Sequence, residues 1–213
     1  FVAGPARDWF SAFQFSASYG VKTLPDLRPL LGDLPVSTFF HIGFSCDRRD
    51  VYMKNGLHSA PARIAEFIGS LPARKCLGFV SYNEGFCDHY NEFLVTRLAC
   101  EPMADTRTLT DDYVRQVFNL RGADRERLTT LLLELESLDT SRATDWLATL
   151  DDLAPRITTP PRQPWAFEHL RLKAALLAID HQLGDGKQWQ SAADAAQATP
   201  LVEQYRELAD QLW

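Results

Sequence analysis

The sequence lacks any run of about 18 or more apolar residues, so no transmembrane helix and no membrane partner is expected. Basic residues are in deficit: 22 Lys and Arg stand against 28 Asp and Glu, a net charge of −6. A duplex nucleic-acid binder needs a basic face to neutralise phosphates, so nucleic acid is excluded as a partner. Cysteine is sparse. Cys46, Cys76, Cys87 and Cys100 contain no CxxC pair, and the paired ligand spacing of a structural zinc site is missing. Cys76 and Cys100 are expected as free, buried thiols. Cys46, Cys87 and His89 are the trio that could meet around an ion, and no metal is expected there. There is no P-loop, dinucleotide fingerprint, GxSxG elbow or HExxH motif, so no cofactor is implied. No internal repeat and no low-complexity tail occurs. Phe1-Val2-Ala3-Gly4-Pro5 has neither a positive n-region nor an apolar h-region, which argues against a signal peptide. The missing initial methionine suggests a processed, trimmed or partial polypeptide.

What is present is an ordinary globular composition, 46% hydrophobic and 11% aromatic, enough to bury a real core over 213 residues. The first half alternates strands and helices. Trp9–Ala17 is aromatic and reads as a strand buried on both faces. A short helix follows, with Thr23 as N-cap, Pro25 in its first turn and Gly32 at its end. Val36–Phe44 is β-branched and aromatic, a second strand. Ser59-Ala60-Pro61 opens a helix with Ile64, Phe67, Ile68 and Leu71 on one face. Leu77, Phe79 and Val80 then mark a third buried strand over Cys76–Tyr82, and Gly85 permits a sharp turn into a helix over Phe86–Cys100.

The β-α-β-α-β-α order implies parallel strands with right-handed crossovers. From Phe86 onward the period is helical. Helices are predicted over Thr110–Phe118, Asp124–Leu138, Ser141–Leu153 and Trp165–Leu183, with an alanine-rich helix at Ala192–Ala198 and a last one from Thr199-Pro200. Leu128, Leu131, Leu132, Leu135 and Leu138 form a wide stripe that needs partner helices. The prolines of Pro155–Pro164 break the helical region. The reading divides the chain into α/β units over 1–106 and an α-helical domain over 107–213. Three parallel strands cannot close a barrel, which needs about 250 residues. Left alone, they would expose long aromatic edges. The chain is therefore expected either to be the carboxyl-terminal part of a larger barrel or to be a small open α/β unit with covered edges.

In parallel α/β folds, chemistry collects at the carboxyl ends of strands. Tyr82, Asn83 and Glu84 stand at such an end, with Tyr82 and Glu84 sharing parity. Asp47 ends the preceding strand, and Asp47 with Glu84 is a candidate carboxylate pair on neighbouring strands. Glycoside hydrolysis needs two carboxyl groups roughly 5–10 Å apart. The bland readings are that Asp47 pairs with Arg48 or Arg49 and that Asp88 caps the next helix. Asn91 lies one turn along that helix as a brace or a contact. His41 is a candidate contact or a core histidine. His58, His169 and His181 read as surface or packing positions.

The run Gly78-Phe79-Val80-Ser81-Tyr82-Asn83-Glu84-Gly85, then Asp88-His89-Tyr90-Asn91-Glu92-Phe93-Leu94, then Arg97-Leu98-Ala99-Cys100-Glu101-Pro102 and Ala104-Asp105 carries a family likeness. It resembles the last βα unit of bacterial glycoside hydrolases with a (β/α)8 barrel and a following helical domain, and more distantly the β-hexosaminidase barrels. Thr110–Phe118 and Phe167–Ala175 resemble two helices of that domain. Cys100-Glu101-Pro102 departs from the family's tryptophan-aspartate-proline, and Asn119-Leu120 replaces its glycine.

The resemblance implies a carbohydrate-active hydrolase acting on a carbohydrate substrate. Glu84, Tyr82, Asn83, Asn91 and His41 would be sugar contacts, with Glu84 and Asp47 as catalytic candidates. By the hexosaminidase likeness Glu84 would hold a terminal sugar's hydroxyls, with the acid, base or nucleophile on earlier strands. The remainder of the barrel would be supplied in cis or in trans. The alternative is a non-catalytic α/β-plus-helical module that binds a carbohydrate or a protein partner.

Overall fold

A computed structural model describes residues 11–16, 29, 31–42, 59–73, 75–82, 88–137, 139–157, 164–182, 200, 203 and 207. Among these the chain is mixed α/β and mostly helical. The strands are β1 (Phe13–Ser16), β2 (Val36–His41) and β3 (Cys76–Tyr82). The helices are α1 (Pro61–Ser70), α2 (His89–Cys100), α3 (Thr106–Phe118), α4 (Gly122–Glu134), α5 (Ala143–Leu153) and α6 (Pro164–Gln182). The three strands form one parallel sheet in the order β1-β2-β3. The short helix predicted around Thr23 and Pro25, and the helix predicted over Ala192–Ala198, lie outside the described residues.

The described parts of both connections pack on the same face of this sheet. Register pairs Phe13 with Val36, Thr38 with Phe79 and Phe40 with Ser81, so these residues share one face. Leu31 and Leu34, from the β1–β2 connection, bury Val36 and pack beside Phe13 and Cys76. On the β2–β3 connection, Phe67 of α1 stacks on Phe40 with centroids 4.3 Å apart and meets Phe79 edge-on at 5.9 Å. From there one cluster runs without a break through α2 to α6, taking in Tyr90, Leu98, Tyr113, Leu128, Leu132, Trp146, Leu150 and Leu170. The leucine stripe of α4 is buried at Leu128, Leu131, Leu132 and Leu135 as its spacing predicts, and Leu138 lies outside the described residues.

The opposite face is exposed on the edge strands and half-buried on β2, and this corrects the expectations of a first strand buried on both faces and of a buried third strand. On β3, Leu77 is 76% exposed, Val80 54% and Tyr82 46%. Gln14 of β1 is exposed as well. A register shift between Val36 and Ser37 leaves Leu77 unmatched between Cys76 and Gly78, a bulge that turns its side chain to solvent at the sheet's edge. Burial depends on where a strand sits in the sheet, which the local pattern of β3 does not encode.

A helix boundary also differs. Helix α3 starts at Thr106 and not at Thr110, because Asp105 caps it: its carboxylate accepts from the Thr108 N–H at 2.9 Å and from the Thr108 hydroxyl at 2.8 Å. Its far end is closed by Asn119 in the left-handed region, φ 56°. Cys100, expected buried, is exposed at the end of α2, and Cys76 is half-buried; neither is in a disulfide.

Helix α1 cannot cap itself. Its N-cap is Ala60 and its first residue is Pro61, which has no N–H to donate. Distant residues supply the missing acceptors. Glu136 takes the N–H of Ala62 on Oε2 at 2.9 Å and that of Arg63 on Oε1 at 3.0 Å. The Ala60 N–H donates to Asn91 Oδ1 at 3.1 Å, and the Ser59 hydroxyl donates to the Leu132 carbonyl. These bonds tie the helix behind the sheet to α2 and to the end of α4.

Candidate functional site

The structural candidate is the carboxyl edge of the sheet together with the start of α2. At that edge Tyr82 is registered against His41, and its ring stacks on Phe39 with centroids 6.0 Å apart and planes 29° from parallel. Phe39 pairs with Val80 in register, so Phe39, Val80 and Tyr82 lie together on the open face. The pair is a partly exposed aromatic surface, Tyr82 exposed and Phe39 half-buried, at the end of the strands where α/β folds gather ligands.

Glu84, Asn83 and Asp47 lie outside the described residues, as do Cys46, Cys87 and His58. His41 closes β2 as backbone. Asn91 is fully buried, and its amide oxygen holds the Ala60 N–H, so the structure gives it a bracing task between α2 and the start of α1. Asp88 takes the N-cap position of α2 and is 5% exposed, but its side chain makes no capping bond to the helix. Among the described residues no three His, Cys, Asp or Glu side chains gather as metal ligands. No described helix is long and apolar enough to cross a membrane.

At the start of α2 the structure assembles a group that sequence reasoning did not single out. His89 Nε2 is hydrogen-bonded to the Tyr113 hydroxyl from α3. The His89 ring sits 4.9 Å from Trp165 of α6, and Trp165 lies 5.5 Å from His169 one turn further along. Burial pushes the Tyr113 phenol well above its ordinary pKa, with the neighbouring Tyr90 adding to the shift, so it stays protonated at neutral pH. Burial also lowers the pKa of His169, against an opposing pull from Glu168, and keeps that ring neutral. Behind this group, Tyr90 and Thr110 share a buried 2.7 Å hydrogen bond, and the Thr110 hydroxyl also donates to the Thr106 carbonyl. The one local signal in sequence was Trp165 at a helix start after a proline-rich break; partners from three separate helices leave no local trace.

A shallow cavity of about 260 Å³ between α4 and α5 is a weaker candidate. Charged residues in its walls are already paired, with one another or with residues just outside it. Glu134 accepts from Arg142 at 2.9 Å and from the Trp146 indole at 3.1 Å, Arg127 pairs with Asp152 at 2.6 Å, and Glu126 pairs with Arg107. Such a lattice is a solvated ion network more than a ligand site.

No family model, curated protein or solved structure matches this chain.

Proposed function

We propose that the chain is the carboxyl-terminal part of a barrel-type glycoside hydrolase, with β1–β3 among the last strands of a (β/α)8 barrel and the later helices as an appended domain. In this reading the segment Tyr82-Asn83-Glu84 contributes sugar contacts at the carboxyl face, and the main acid and base stand on earlier strands. The observation that carries it is the winding of the sheet. Consecutive strands are neighbours, the described parts of both connections lie on one face, and the other face carries half-buried Phe39 beside exposed Val80 and Tyr82.

In a barrel all crossovers run outside and the uncovered face points inward, where the remaining strands shield it. The two free edges of the sheet pair with the rest of the barrel, which removes an edge that folded proteins avoid exposing. The Phe39–Tyr82 surface then lies at the barrel mouth, where an aromatic face suits the apolar side of a pyranose.

The test is hydrolysis of a panel of aryl glycosides by the intact gene product, wild type against Glu84→Gln. A substrate-holding Glu84 predicts turnover with a raised KM, a lowered kcat or both in the variant. Absence of turnover in the wild type, or a variant with both constants unchanged, overturns this role.

A further inference from the structure

Trp165 is the second residue of α6, and it is 41% exposed although rings flank its indole on two sides. The flanking rings come from different helices. His89 is fixed in turn by the Tyr113 hydroxyl, and Tyr113 is itself locked among Tyr90, Phe93 and Phe118. The exposed indole is therefore held by a chain of contacts that ends in the core. A large apolar ring kept rigid yet in water costs solvation, and rigidity of this kind lowers the entropy lost on binding.

Its position is equally specific. His89 begins α2, seven Cα-to-Cα steps along the chain from Tyr82 at the end of β3, which bounds their separation at about 25 Å. Trp165 thus packs on the first residue of the helix that follows the carboxyl edge carrying Tyr82. Trp9, Trp189 and Trp213 lie outside the described residues, and Trp146 is buried, so among the described residues Trp165 is the exposed indole.

We infer that Trp165 is a saccharide-stacking residue contributed by the helical part of the chain to the site at the sheet's carboxyl edge, its ring taking the apolar face of a sugar. This rests on the carbohydrate reading above. It adds that α6 is part of the binding site.

The experiment titrates the intact gene product with maltotriose, cellotriose and tri-N-acetylchitotriose by calorimetry, and follows tryptophan emission in parallel. The wild type is expected to bind at least one of the three with a change in emission. Trp165→Ala should bind it about tenfold more weakly, the scale of one aromatic contact. Trp165→Phe should keep most of the affinity and lose the emission change, and it decides the matter if the alanine variant does not fold. Wild-type binding that Trp165→Ala leaves intact, or an emission change that survives in Trp165→Phe, overturns the role of Trp165 while the carbohydrate reading stands. Failure of the wild type to bind any of the three at millimolar concentration overturns both.

Discussion

Replacing Glu136 by alanine removes the acceptor of two backbone N–H groups at the start of α1, held at 2.9 and 3.0 Å. The helix has no substitute. Ala60 offers no side-chain cap, and Pro61 already lacks a donor. Loss of an N-terminal cap costs about 0.5–2 kcal/mol. Loss of a carboxylate from the positive end of the helix dipole costs about 0.3–1 kcal/mol more. Because water reaches this half-exposed site, the sum is placed near its middle, about 2 kcal/mol, with about 1 kcal/mol for Glu136→Gln, which keeps one acceptor oxygen. In a chain of this length that lowers Tm by about 4–8 °C.

Urea unfolding followed by far-ultraviolet circular dichroism gives the difference directly. Arg107→Ala supplies the control, since its partner Glu126 is a surface pair in which both side chains are about half exposed. Such pairs contribute about 0–1 kcal/mol. If Glu136→Ala lowers stability no more than Arg107→Ala, the cap from the far side of the molecule does not operate and the reasoning fails.

Three further outcomes follow from the same structure. Asn91→Leu, close in volume, leaves the buried Ala60 N–H without its acceptor and should cost about 1–3 kcal/mol in urea unfolding; an unchanged midpoint would mean that the N–H has another partner. Leu128→Ala, at a fully buried position on α4, should cost about 2–5 kcal/mol, and a loss below about 1 kcal/mol would contradict the continuous core. The Thr108 backbone N–H, and then its hydroxyl, hold the Asp105 carboxyl below the usual carboxylate range. Its capping is therefore complete above the ordinary value of about 3.9 and is lost as pH falls through the depressed one. The stability gap between wild type and Asp105→Ala should be flat near neutrality and close in acid; a gap still undiminished near about pH 2 would show that the charge is not what caps α3.

Periodicity made the helical half legible because a helix records its own buried face. Leu128, Leu131 and Leu132 on α4, Trp146 and Leu150 on α5, and Ile64 and Ile68 on α1 are all buried as their spacing implies. Strand location was equally readable, with β3 at Cys76–Tyr82 as its composition indicates. Strand burial was not, since an apolar run looks the same in the centre of a sheet and at its edge; Leu77 is exposed at the bulge and Val80 on the uncovered face. The start of α3 was present in the sequence as Asp105 three residues before Thr108, a capping signal outweighed by the more obvious apolar pattern after Thr110.

Contacts across large sequence separations had no local signature. Glu136 on the N-terminus of α1 and Trp165 between His89 and His169 depend on the packing of whole helices. Of the proposed sugar contacts, Tyr82 lies on the exposed face and Asn91 within the core. That difference follows from the strand edge for one and the buried helix face for the other.

The central claim is that this open sheet belongs to a closed barrel whose mouth binds sugar. Hydrogen–deuterium exchange of the β3 backbone amides in the intact gene product tests it most directly. Among Cys76–Tyr82, alternate N–H groups face β2 and the others face away from it. A barrel pairs the outward set with a further strand, so both sets should be protected alike. Fast exchange of the outward amides beside protected inward ones would leave β3 as a true edge, and the barrel account would be wrong.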